Sequence, residues 1–128
     1  MKKLVAIMAI GGLCSSCAKE RSFEQNYRVA KENAATASGT AYDNAVGAAV
    51  QGVPGYMLSV RTCMVNHPGK HLLHGYLVIS SPTNYSVVLE PEGPLADCIA
   101  DVIAGRTLPA PPTTPYLNPM EIEGPPTS

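Results

Sequence analysis

The chain contains no tryptophan and a single phenylalanine, Phe23, among its 128 residues. Its apolar content therefore rests on Val, Leu, Ile, Met and Tyr, and a core built from these over so short a chain is small. No apolar run reaches the roughly 20 residues that cross a bilayer as a helix. The longest, from Leu4 to Leu13, is about half that. Beyond Lys2 and Lys3 there is no run of Lys or Arg, which argues against nucleic acid or an anionic lipid surface as a partner. The sequence also lacks a serine-centred nucleophile elbow, a phosphate-cradling glycine loop, a zinc-binding helix motif and, after residue 17, any CxxC pair. These absences disfavour catalysis and imply no cofactor.

What is present at the N-terminus is a targeting pattern. Two lysines, the short apolar run and Cys14-Ser15-Ser16-Cys17 form the three regions of a secretory signal peptide. The exit is similar to a bacterial lipobox, with Cys17 as the residue that is lipidated and becomes the new terminus, although Cys14 stands where Leu is usual. Simple cleavage after Ser16-Cys17-Ala18, giving a soluble periplasmic protein, is the alternative, and an uncleaved anchor is a third. Ala18 is not the aspartate of an inner-membrane retention signal, so the outer membrane, facing the periplasm, is the expected destination. Loss of Lys2 and Lys3 leaves 7 basic and 10 acidic residues, a net charge of about −3.

Either cleavage route removes Cys14 and commits or removes Cys17, leaving Cys63 and Cys98. Two cysteines in an oxidising compartment read as one disulfide. Closing that loop is worth roughly 3 to 4 kcal/mol on the chain-entropy account.

The stretch from residue 18 to 52 is polar and alanine-rich. It reads as a spacer between membrane and domain, partly helical or disordered. Ser22 and Gln25 form a capping-box pattern, and Phe23, Tyr27 and Ala30 recur at helical spacing, predicting a short helix over 23–35. Residues 36–40 read as a flexible joint, and 41–50 are ambiguous because of Gly47.

From residue 53 the pattern tightens. Pro54 reads as a helix start, with Tyr56, Val60, Cys63 and Met64 on one face. Asn66-His67-Pro68-Gly69 ends that helix. The run from Leu72 to Ser80, the turn residues Ser81-Pro82-Thr83-Asn84 and the run from Tyr85 to Glu90 predict a β-hairpin. A second helix starts at Gly93-Pro94, carries Leu95, Cys98, Ile99, Val102 and Ile103 on one stripe, and stops at Gly105. The expected fold is α+β: a small two-layer domain over 53–124, with helix, hairpin, helix and a weak last edge strand at 116–123, where Pro119 lies. Residues 125–128 read as a disordered tail, and the proline-rich stretch from Pro109 onward as largely extended.

The order Arg61-Thr62-Cys63 helix, Pro68-Gly69, glycine-centred strand from Gly75, Asp97-Cys98-Ile99 helix and Leu108-Pro109-Ala110-Pro111 resembles cysteine-bearing TonB C-terminal-like domains of the AgmX type, found in gliding-motility and envelope proteins. That resemblance implies scaffolding or force transmission by strand addition, with 85–90 or the Tyr116 segment as the edge. The chain is therefore expected to be a non-catalytic envelope lipoprotein that binds another envelope protein.

Three weaker groupings of side chains each have a plainer explanation. His67, His71 and His74 could ligate zinc or copper in a periplasmic metal or small-ligand carrier, but on a strand His71 and His74 point to opposite faces, so no metal site is expected. Cys63 with His67 could form a thiolate–base pair in a thiol enzyme, but that needs a reduced, accessible sulfur. Asp97 and Asp101, like Glu90 and Glu92, read as solvated carboxylates rather than an acid–base pair.

Overall fold

The structure, a computed structural model, describes residues 21–68 and 72–123. Cys17, His71 and the tail at 125–128 lie outside the described residues. The chain folds as α1 (Phe23–Ala35), α2 (Ala37–Gln51), α3 (Tyr56–Asn66), β1 (Leu72–Ser81), β2 (Asn84–Glu90), α4 (Pro94–Ile103) and β3 (Tyr116–Glu123). The three strands form one antiparallel sheet in the order β2-β1-β3, so the architecture is α+β as expected.

Alternation along β1 decides what each face does. Leu73, Leu77 and Ile79 point to one side, where they meet Leu89 of β2, Tyr116 and Ile122 of β3, and the buried faces of α2, α3 and α4. Ile99 and Ile103 of α4 are fully buried there. Tyr76 and Val78 point to the other side and pack with Val88, Leu117 and the α1 residues Phe23, Tyr27 and Ala30. Gly75 is required at the sheet centre: a Cβ on it would stand 1.8 Å from the Val88 carbonyl oxygen.

Cys63 and Cys98 join α3 to α4 through a disulfide, with Cα atoms 5.8 Å apart. Because each cysteine lies on the inward stripe of its own helix, the bond fixes the helix layer over the hairpin. α4 begins at Pro94 and is followed by Gly105 in a left-handed conformation, φ +79°, in agreement with the sequence. α3 starts two residues later than Pro54 suggests. Residues 53–55 form a turn in which the Tyr56 N–H donates to the Val53 carbonyl at 3.1 Å, and Gly55, φ +86°, leads into the helix.

The largest departure from expectation is the stretch read as a spacer. It is part of the fold. α1 forms where the capping box places it, with Ser22 Oγ accepting from the Gln25 N–H and Gln25 Oε1 accepting from the Ser22 N–H. Its apolar stripe is thin because a flat sheet face needs little from it: Phe23 and Tyr27 stack at 5.9 Å and lean on His74 and Tyr76, while Ala30 lets the backbone approach. The expected flexible joint is a tight corner. Thr36 ends α1 and caps α2, its Oγ1 accepting from the Gly39 N–H at 2.9 Å. Gly39 is obligatory, since a Cβ there would collide with the Asn33 carbonyl. α2 then returns along the opposite side of the sheet, burying Tyr42, Val46 and Val50.

The last strand is also more complete than expected, pairing with β1 from Tyr116 through Glu123. It remains an edge strand, which is where a strand proline is tolerated.

Candidate functional site

The side chains singled out for chemistry do not converge. Cys63, 2% exposed, and Cys98 are bound to each other, so neither supplies a thiolate. His67 ends α3 beside Pro68, Leu73 and the residues 91–96. His74 stands on the other face of the sheet, between Phe23 and Tyr27 at 5.4 and 5.0 Å. Among the described residues no group of three His, Cys, Asp or Glu side chains could hold a metal ion. Asp97 and Asp101 are exposed on α4. Glu90 closes β2 opposite His74, and Glu92 is exposed in the following loop.

The tyrosines carry the structural hydrogen bonds instead. Tyr27 donates to Glu121 at 2.8 Å; burial and this carboxylate push its phenol up to about 12. Tyr42 donates to the Pro109 carbonyl at 2.8 Å and meets Tyr116 edge-on at 5.1 Å. Burial raises both phenols, as it does that of Tyr56. Tyr85 donates to the Ile103 carbonyl at 2.6 Å and accepts from the Arg106 N–H at 2.8 Å, fixing the end of α4 to β2.

The two edges of the sheet are unequal. In an antiparallel pair each residue turns both its N–H and C=O toward its partner or both away, alternately. Asn33 Nδ2 donates to the Leu117 carbonyl at 3.0 Å, so Leu117 faces away from β1. By alternation Pro119, Glu121 and Glu123 do the same. Along this edge Asn33 occupies one acceptor, Pro119 removes one donor, and α1 and α2 flank the strand on either side.

The same alternation settles β2. Leu117 is opposite Val78, so Val78 turns its main chain toward β2 and bonds Ser86, its partner there. Ser86, Val88 and Glu90 thus serve the ladder with β1, while Tyr85, Val87 and Leu89 direct their N–H and C=O groups outward. Among the described residues no side chain or loop hydrogen-bonds those outward groups. Neither proline nor lysine, the usual guards of a bare edge, occurs between Asn84 and Glu90. The sequence offers 85–90 and the Tyr116 segment alike as edges, and Asn33, which obstructs the second, carries no local signal of that contact.

A second exposed feature lies on α3, where Met57, Leu58 and Val65 are each more than two-thirds exposed. No helix among the described residues is long and apolar enough to cross a membrane. No protein-family model, curated protein or solved structure matches this chain.

Proposed function

We propose that this chain is a cell-envelope lipoprotein, anchored through Cys17 in the outer membrane and facing the periplasm, whose domain binds another envelope protein without catalysis. The partner supplies an extended segment that adds to β2, main chain to main chain, at Tyr85, Val87 and Leu89. The observation that carries this reading is the unguarded outer edge of β2 beside a β3 edge that the chain itself obstructs. The resemblance of 53–124 to TonB C-terminal-like domains points the same way. A non-catalytic role is supported by the Cys63–Cys98 bond, which leaves the thiol reading without a free sulfur.

The folding of α1 changes the geometry of such an anchor. Its cap is Ser22, so only residues 18–21 separate Cys17 from the domain, a reach of about 17 Å. The domain is held against the leaflet, and its partner is one that comes close to the membrane.

Two measurements test this. Intact mass of the membrane-extracted protein reports acylation of Cys17; an unmodified terminus beginning elsewhere contradicts the anchor. A photo-crosslinking residue at Ser86, whose side chain is exposed, should capture a partner in envelope membranes. Val87→Pro deletes an outward N–H without touching the ladder to β1 and should abolish capture. Undiminished capture by a folded Val87→Pro variant contradicts strand addition at β2.

A further inference from the structure

α1 and α2 straddle β3 from the corner at Thr36, and between them lies a cleft of about 850 Å³ whose floor is the strand from Asn118 to Ile122. Its size is within the range of small-molecule sites, and it lies at the opposite edge of the sheet from the proposed protein-binding strand. Its charged and amide lining comes from three elements: Lys31 of α1, Asp43, Asn44 and Gln51 of α2, and Asn118 and Glu121 of β3. From this lining we infer a second site, one that binds a small hydrophilic ligand carrying a protonated amine.

Three features favour an ammonium group. First, the charges are unbalanced, with two carboxylates against one lysine. That lysine is engaged, its Nζ lying 4.6 Å from the centroid of the Tyr27 ring. Second, each carboxylate keeps an oxygen in reserve. Asp43 Oδ1 accepts from Asn118 Nδ2 at 2.9 Å and Glu121 Oε2 accepts from Tyr27 at 2.8 Å, leaving Asp43 Oδ2 and Glu121 Oε1 to accept from a ligand.

Third, Asn118 lines the cleft at 1% exposure, yet its Oδ1 has no hydrogen-bond partner in the protein. That oxygen lacks a donor and is itself enclosed, so a ligand in the cleft reaches it only by turning the Asn118 side chain. The Pro119 carbonyl on the floor already accepts from Asn118 Nδ2 at 3.3 Å and has one lone pair left for a ligand. An ammonium group brings three N–H donors and no acceptor, which matches this surplus. A compact metal ion does not, because no three metal-ligating side chains converge among the described residues. Gly47 on the α2 wall leaves space, with nothing within 4 Å of where its Cβ would stand.

The test is an NMR titration of the full exported chain, at slightly acidic pH, with glucosamine, lysine amide and ethanolamine as amine probes and N-acetylglucosamine as the ring with its charge removed. At least one amine should give saturable shifts at the amides of Asn44, Gly47, Asn118 and Glu121. N-acetylglucosamine should bind about ten-fold or more weakly than glucosamine, the loss expected for a charge-assisted hydrogen bond. Glu121→Gln, on the exposed strand edge, should weaken amine binding about five-fold. Asp43→Asn should do likewise, with its melting curve reported beside it because Asp43 also holds Asn118. The proposal is overturned if none of the three amines saturates, if N-acetylglucosamine matches glucosamine, if the shifts fall outside the cleft, or if Glu121→Gln leaves affinity unchanged.

Discussion

Asn33 on α1 donates from its Nδ2 to the main-chain carbonyl of Leu117 on β3, at 3.0 Å, across 84 residues of sequence. This bond joins the N-terminal helices to the sheet and occupies an acceptor that an edge strand otherwise offers to another chain. Asn33→Ala should cost about 0.5 to 1.5 kcal/mol, the usual net worth of such a bond. The same variant should self-associate more readily through β3. Denaturant unfolding and sedimentation velocity read the two effects; a variant that is less stable but strictly monomeric at all concentrations contradicts the guarding role.

Gly75→Ala tests the sheet centre. A methyl group there would meet the Val88 carbonyl at 1.8 Å, backbone against which no side chain can swing aside. The expected loss exceeds about 3 kcal/mol, at the severe end for a single substitution. Circular dichroism melting checks it, and a shift of only a degree or two contradicts the β1–β2 register.

Reduction of Cys63–Cys98, or their joint replacement by alanine, should destabilise the domain by roughly 3 to 4 kcal/mol through loss of loop closure over 35 residues. Urea unfolding with and without reductant measures this. Free-thiol titration of the unreduced, exported protein should find no reactive sulfur at either position.

Alkaline pH should weaken the fold. Tyr27 ionises at about 12 when folded and near 10 when unfolded, so the neutral phenol is favoured by the native state. Its contribution is complete below pH 10 and is lost as pH rises from there through about 12. Tyr42, Tyr56 and Tyr116 are raised in the same direction and add to the trend. Phenolate absorbance should therefore rise late and together with unfolding; in Tyr27→Phe the loss of stability over that window should be smaller.

The domain from residue 53 onward was largely legible in the sequence. Leu95, Ile99 and Ile103 repeat at helical spacing because α4 buries a single stripe, and Gly105 stops the helix by turning left-handed. The hairpin announced itself through two β-rich runs about a Pro-Thr-Asn turn. α1 stands where its capping box predicts it, but the packing of both N-terminal helices on the sheet is hidden because their burial uses few large residues. α1 contributes two rings and an alanine to a sheet face, and α2 buries Tyr42, Val46 and Val50 among alanines and glycines that periodicity alone leaves ambiguous. Polar residues such as Asn33, Asp43 and Asn118 carry no local signal of their roles, since each acts on a partner more than seventy positions away. The strand at 116–123 was legible in outline, and Pro119 correctly marked it as an edge.

The most direct measurement of the central claim is residue-resolved amide hydrogen exchange of the isolated domain along β2. The account predicts alternation: Ser86 and Val88, bonded to β1, exchange slowly, while Tyr85, Val87 and Leu89 exchange fast and become protected only when a partner strand is added. Uniform slow exchange from Tyr85 through Leu89 in the isolated protein would mean that this edge is already covered, and would contradict it.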